Sequence, residues 1–228
     1  MYRFLLLLTL LVLPGFALGG DEFSLLITHG NRSRPQFALT FDLCQTQTKP
    51  AGFDPAIVAI LQEKKAAATF FSGGLWLQDH PQEAQLLASE PLFELDNHSW
   101  SHPDFRKTEA QAISDEINST EKLLTALTGH SSRLFRLPFG YYDERVLRTV
   151  AASGLRIIQW DLVTGDPDRR VLAADIVDNV RRGAKNGAIV IMHANGRGWH
   201  TAEALPKVID LLRQRGFELV TISKLLQP

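Results

Sequence analysis

The chain has 228 residues, 45% hydrophobic and 21% charged, with a formal net charge of -1. This length is enough for one large domain with a substantial core, and the composition is that of an ordinary globular protein. Balanced charge without a long lysine or arginine run argues against nucleic acid or an anionic membrane surface as partner.

The N-terminal stretch "MYRFLLLLTLLVLPGFALGG" places Arg3 ahead of an apolar run from Phe4 to Leu13, with Ala17 and Gly19 spaced for cleavage. This is the layout of a secretory signal peptide over 1–20. The apolar run is about ten residues, short of the roughly 20 that a spanning helix needs. The mature chain, 21–228, is therefore expected to be exported, periplasmic or secreted, with no membrane span after cleavage. Cys44 is the only cysteine, which excludes an internal disulfide.

Short apolar or β-branched runs then alternate with helix-period segments. The expected strands are 36–43, 67–71, 92–97, 134–138, 155–160, 188–193 and 217–221. The expected helices are 54–65, 81–89, 108–128, 142–152, 172–184 and 204–215. The third helix has the clearest period, with Ile113, Ile117, Leu124 and Leu127 on one face. Several strands are nearly continuous in apolar residues, as in a parallel sheet covered on its outer face. Alternating strands and helices without a repeat or linker predict a single α/β domain of about seven parallel strands.

In such folds the functional site gathers at the C-terminal ends of the strands. Five of the seven expected strands end there in polar, chemically capable residues: Asp42, His98 with His102, Arg136 with Pro138, Asp161 or Asp166, and His193. The histidines of "HSWSH" are four apart; on one helical turn their β-carbons would lie about 5–6 Å apart, which suits two ligands of one metal ion. Pro103 disfavours helical geometry at His102 and should stop that turn. Asp42 ends an apolar run and needs a partner if buried. Arg136, among apolar neighbours, implies a carboxylate partner, Asp42 or Asp166. His193 ends "AIVIMH", and a carboxylate such as Asp166 beside it would favour the imidazolium and make a general acid.

Taken in order, "LTFD", "HSWSH", "RLPFG", "WDLVTGD" and "IVIMH" resemble the NodB-homology polysaccharide deacetylases, carbohydrate esterase family four, from about residue 36 to the C-terminus. The resemblance implies a distorted (β/α) barrel and a divalent-metal-dependent hydrolase that removes acetyl groups from sugars. It implies His98 and His102 as metal ligands, Asp42 as catalytic base, Arg136 as the residue orienting that base, Asp166 as the aspartate tuning the catalytic histidine, and His193 as catalytic acid. Ile191 matches the apolar residue of the acetyl pocket, while Pro167 stands where the family usually has tryptophan. Pro138, Phe139 and Trp160 complete the expected substrate-binding set, and the Phe139 amide is expected to point into the cleft.

One departure matters. The family's second motif aspartate, normally the third metal ligand, is Leu43 here. Alternate strand residues share a face, so Cys44 can point the same way as Asp42, and a thiolate favours zinc over magnesium or calcium. The alternatives for the third ligand are Cys44, Asp42 or water. The expected function is removal of N- (or O-) acetyl groups from an extracytoplasmic polysaccharide such as peptidoglycan or a chitin-like polymer, with zinc as cofactor. Two alternatives remain: a catalytically inactive glycan-binding protein on the same fold, motivated by Leu43, and an amidase acting on a small molecule. Trp100, Tyr141, Tyr142 and Trp199 are candidates for stacking on sugars.

Overall fold

The computed structural model describes residues 25–228; the expected leader, 1–20, lies outside them. No helix of the described residues is long and apolar enough to cross a membrane. The strands are β1 (Leu26–Ile27), β2 (Gln36–Leu43), β3 (Ala68–Ser72), β4 (Phe93–Asn97), β5 (Leu134–Phe135), β6 (Arg156–Ile158), β7 (Leu162–Val163), β8 (Ala188–His193) and β9 (Glu218–Leu219). The helices are α1 (Pro55–Glu63), α2 (Gly74–Asp79), α3 (Pro81–Ser89), α4 (Ala110–Thr128), α5 (Glu144–Ala151), α6 (Ala173–Gly183), α7 (Thr201–Gln214) and α8 (Ile222–Leu225).

All strand pairs are parallel, in the order β1-β6-β5-β4-β3-β2-β8-β7, with β9 pairing the start of β2 below β3. The sheet curls into a half-barrel. Its two ends approach where the chain after β1 reaches β8: His29 bridges Ala188 and the Gly30 amide donates to the Gly187 carbonyl at 2.8 Å. The sheet therefore has nine strands rather than about seven. The two additions, β1 and β7, have two residues each, too short for a hydrophobic period to register. The expected strand 155–160 covers only Arg156–Ile158, and the Gln159 amide makes the last ladder bond to β1, at the Ile27 carbonyl. The expected strand 134–138 stops at Phe135, and Pro138–Gly140 forms a 3₁₀ turn.

Local chemistry sets the helix limits. Asp54 caps α1 by accepting from the Ala56 amide, with Pro55 in the first turn. Gly129, at φ 74°, closes α4 in the left-handed conformation that glycine adopts without penalty. The period read for 108–128 holds, with Ile113, Ile117 and Leu124 buried.

The side-chain alternation of β2 positions the site. Phe37, Leu39, Phe41 and Leu43 pack into the core beneath the helices, with Trp76, Leu205 and Ile209. Ala38 faces the barrel interior with Phe71, Ile158 and Ile189, and Thr40 and Asp42 share that parity. The strand is buried on both faces, which is why it reads as one apolar run. Parity also places Leu43 in the outer core, away from the site.

Candidate functional site

Asp42, at the end of β2, lies in register with His193 of β8 and Phe71 of β3. Arg136 enters just beyond β5, fully buried, and its Nη1 donates to Asp42 Oδ1 at 2.8 Å. The guanidinium lies 4.1 Å over the Phe71 ring, a cation–π contact strengthened by the dry surroundings. Of the two carboxylates considered for Arg136, the partner is Asp42. Burial opposes ionisation of Asp42, but the charges of Arg136, His98 and His193 and the Arg136 hydrogen bond outweigh it, so its pKa falls below the ordinary value.

His98 and His102 meet without a helical turn. Residues 98–102 form an irregular bend in which Ser99 (φ 67°) and His102 (φ 57°) are left-handed. Glu116 of α4 holds this bend, its carboxylate accepting from the amides of Trp100 and Ser101 and from the Ser101 hydroxyl. The imidazole rings end up 5.0 Å apart. His98 Nδ1 must carry its hydrogen, because it donates to the Arg136 carbonyl at 2.8 Å. That leaves Nε2 with a lone pair, buried and without a hydrogen-bond partner. Asp42 Oδ2 is its near neighbour, but 3.5 Å is too long for a good hydrogen bond. Burial lowers the pKa of both imidazoles, that of His102 to about 3, and so holds them neutral as metal ligands must be.

Cys44 follows the parity of Asp42 and faces the same cavity. Its Sγ and the ring nitrogens of His98 and His102 all lie within 4.8 Å of one another. Two neutral imidazoles, one with an orphaned buried nitrogen, together with a thiol fit a divalent ion. Burial and the Asp42 charge push the free Cys44 thiol up to about 12.

His193 is bound to Asp166 twice: its amide donates to Oδ2 at 2.7 Å, and Nδ1 lies 3.1 Å from Oδ1. Asp166 also accepts from the Thr201 and Thr164 hydroxyls. Burial disfavours the His193 imidazolium, but the hydrogen bond and charge of Asp166, with the charge of Asp42, win and raise its pKa. Gly198 lets this loop close: a β-carbon there would come within 2.3 Å of the His193 carbonyl and 2.9 Å of Asp166 Oδ2. Asp161, the other strand-end aspartate considered, instead accepts from the Ile189 amide and pairs with Arg32 and Lys185. It serves the sheet.

These groups line one cavity of about 270 Å³, with Asp42, Cys44, His102, Asp166 and His193 on its polar side and Phe139, Trp160, Val163 and Ile191 on its apolar side. Pro138 is buried and does not line it. Phe139 is left-handed (φ 58°) and 51% exposed, its ring 4.4 Å from that of His102. Among the described residues, three of the four non-glycine residues with positive φ are therefore Ser99, His102 and Phe139, all at this site. Such conformations cost about 1–3 kcal/mol each and concentrate at functional sites. Among the described residues, no hydrogen bond uses the Phe139 amide. Sequence reasoning missed Val163, Arg197, Asn195, Glu116 and Thr201. Val163 ends β7, a strand too short to be read from the sequence, and the other four lie on no expected strand end.

The family model for polysaccharide deacetylase matches residues 29–158, more than half of the chain. A peptidoglycan-N-acetylglucosamine deacetylase of Bacillus cereus is 28% identical over 200 residues, covering 87% of this chain and 70% of that protein. The chain spans from 39% to 70% of the length of the first curated relatives it matches. The crystal structure of the Bc1960 peptidoglycan N-acetylglucosamine deacetylase superposes with a TM-score of 0.82 at 28% identity, covering 89% of this chain and 93% of that one. A carbohydrate esterase family four pseudoenzyme from Bacillus anthracis superposes with a TM-score of 0.79 at 27% identity, covering 89% and 69%. The chain thus belongs to the polysaccharide deacetylase family, hydrolases acting on carbon–nitrogen bonds other than peptide bonds.

Proposed function

We propose that residues 21–228 are the catalytic unit of an exported, zinc-dependent deacetylase that removes the N-acetyl group of an amino sugar in an extracytoplasmic polysaccharide, peptidoglycan first among them. The observation that carries this reading is the convergence of the Asp42–Arg136 pair, the His193–Asp166 pair and the His98–His102 pair around one small cavity. The leader-like layout of 1–20 and the wall-polymer substrates named for the relatives support export and substrate.

His98 and His102 would hold the ion. A divalent ion there supplies polarisation of the acetyl carbonyl and makes water acidic enough for a weak base to deprotonate. Asp42 is such a base: Arg136 occupies Oδ1 and keeps the carboxylate ionised, leaving Oδ2 to take the proton of the attacking water. The Phe139 amide, which no hydrogen bond among the described residues uses, would donate to the developing oxyanion, an effect typically worth about 10²–10³ in rate per donor. His193 keeps Nδ1 on Asp166, so Nε2 of the imidazolium delivers a proton to the departing amine. Ile191, Val163 and Trp160 give the acetyl methyl an apolar wall and exclude water from it.

The test is acetate release from N-acetylglucosamine oligomers and from peptidoglycan, before and after chelation and zinc replacement. Zinc-restored release from the wild type, with a loss of about 10²–10⁴-fold in His193→Ala, is the expected result. A second reading, a glycan-binding pseudoenzyme, is favoured by Leu43 at the usual ligand position and by the likeness to the Bacillus anthracis pseudoenzyme. Oligosaccharide binding by zinc-loaded protein with no acetate released from any substrate would establish it instead.

A further inference from the structure

We propose that the Cys44 thiolate is the third protein ligand of the His98–His102 site, making a Cys-His-His centre that selects zinc over magnesium, calcium and manganese. This rests on the reading of that site as a metal site. It concerns which side chain replaces the carboxylate missing at position 43 and what the replacement does to metal choice.

Three independent features point to the sulfur. Backbone parity removes Leu43, which is fully buried in the core under the helices, and turns Cys44 into the cavity that holds His102 and Asp42. The Sγ and two ring nitrogens form a mutual set within 4.8 Å, and Asp42 is not part of that set. In a tetrahedral site with bonds of roughly 2.0–2.3 Å, neighbouring donors sit about 3.3–3.6 Å apart. Movements of about 1 Å at the side-chain tips therefore close this one. His98 adds a further observation: its Nδ1 is taken by the Arg136 carbonyl, and its Nε2 is buried and without a partner, which leaves Nε2 as the nitrogen free to bind an ion.

Asn195 acts as the outer support that a ligating thiolate needs. Its Nδ2 donates to the Cys44 carbonyl at 2.6 Å and to Sγ at 3.4 Å, which fixes the direction of the sulfur and favours its charged form. Asn195 is in turn anchored by the Arg197 amide. Asp42 has the opposite arrangement, with Oδ1 committed to Arg136. The division leaves the carboxylate free for proton transfer and assigns the metal to softer donors. Two imidazoles and a thiolate match zinc and other thiophilic ions, whereas magnesium, calcium and manganese prefer oxygen.

Cobalt(II) substitution in the purified chain tests this without reference to turnover. The wild type should show visible d–d bands together with a near-ultraviolet sulfur-to-cobalt charge-transfer band, and the latter should vanish in Cys44→Ser. Zinc affinity of that variant should fall more than about 100-fold, beyond the 10–100-fold typical of losing an outer-shell partner, while manganese affinity changes far less. Cobalt bound to the wild type with d–d bands and no sulfur charge-transfer band overturns the thiolate ligand and leaves the histidine site standing. No stoichiometric cobalt or zinc on the wild type overturns both.

Discussion

Two buried aspartates occupy one row across the sheet. His193, Asp42, Phe71 and Asp96 lie in register on β8, β2, β3 and β4, with Asp42 and Asp96 4% and 3% exposed. At one end Arg136 spans the row, pairing with Asp42 and lying over the Phe71 ring. At the other end, among the described residues, no salt bridge involves Asp96. Its Oδ1 accepts from the Arg133 and Leu134 amides, while Oδ2 has no partner. Burial raises the pKa of both. At Asp42 the surrounding positive charge reverses that shift; at Asp96 burial and the charge of Glu94 outweigh the two amides, leaving it well above the ordinary range. The same residue type at equal depth thus has its pKa lowered at one end and raised at the other. A single buried guanidinium makes the difference.

The largest effect should come from breaking the charged end. Asp42→Asn removes the proposed base and leaves Arg136 without its carboxylate. Acetate release is expected to fall by about 10²–10⁴-fold, and unfolding free energy by about 3–5 kcal/mol, the cost of an uncompensated buried charge. Adding Arg136→Met should restore most of the stability, because an apolar replacement of a buried ion pair is often neutral or better, and none of the activity. Urea midpoints and acetate assays on the three proteins separate the two roles. Stability unchanged in the single variant would show that Arg136 is not desolvated as its burial indicates.

A smaller effect is expected one step along the row. Asp166 is what overcomes burial at His193. Asp166→Asn keeps the shape but loses the charge, so the His193 pKa should drop. Since the protonated imidazole is the working form in the proposed mechanism, the alkaline limb of the kcat/KM profile should move to lower pH, with residual activity highest at acid pH. Thr201→Val, which removes only one hydrogen bond to Asp166, should move the same limb by less. An alkaline limb that stays in place in both variants would remove His193 from the role of acid.

The charged end of the row was legible in the sequence because its residues terminate strands with a strong apolar signal. Asp42 and His193 each close a continuous apolar run, Arg136 lies one residue beyond β5, and His98 follows the mixed strand β4 and was marked instead by its spacing to His102. The comparisons support the family and the fold implied by the same motifs. What the sequence hid was set by long-range packing. Asp96 reads as just another polar residue before Asn97, and nothing local says that its neighbours include Glu94 and Glu121. The meeting of His98 and His102 was expected from helical spacing. It comes instead from two left-handed residues and the grip of Glu116, 14 positions after His102. Strands of two residues, such as β1 and β7, carry no period, although one of them starts the closure of the sheet.

The smallest effect belongs to Asp96, and its sign is the informative part. A group whose pKa is raised by folding keeps its proton in the folded chain while the unfolded chain releases it near pH 4. Its contribution is therefore intact below pH ~4 and is lost as the pH rises toward the folded-state pKa. Asp96→Asn removes that loss. Its Oδ1 can still accept from the Arg133 and Leu134 amides, an NH₂ group replaces the partnerless Oδ2, and the repulsion from Glu94 and Glu121 is gone. Wild type and variant should have similar urea midpoints at pH 3–4, and the variant should pull ahead as the pH rises. Activity should stay within about twofold, because Asp96 lies on the far side of Phe71 from Asp42. A variant less stable than the wild type at neutral pH would mean that folding does not raise the Asp96 pKa, and that the two ends of the row are not electrostatic opposites.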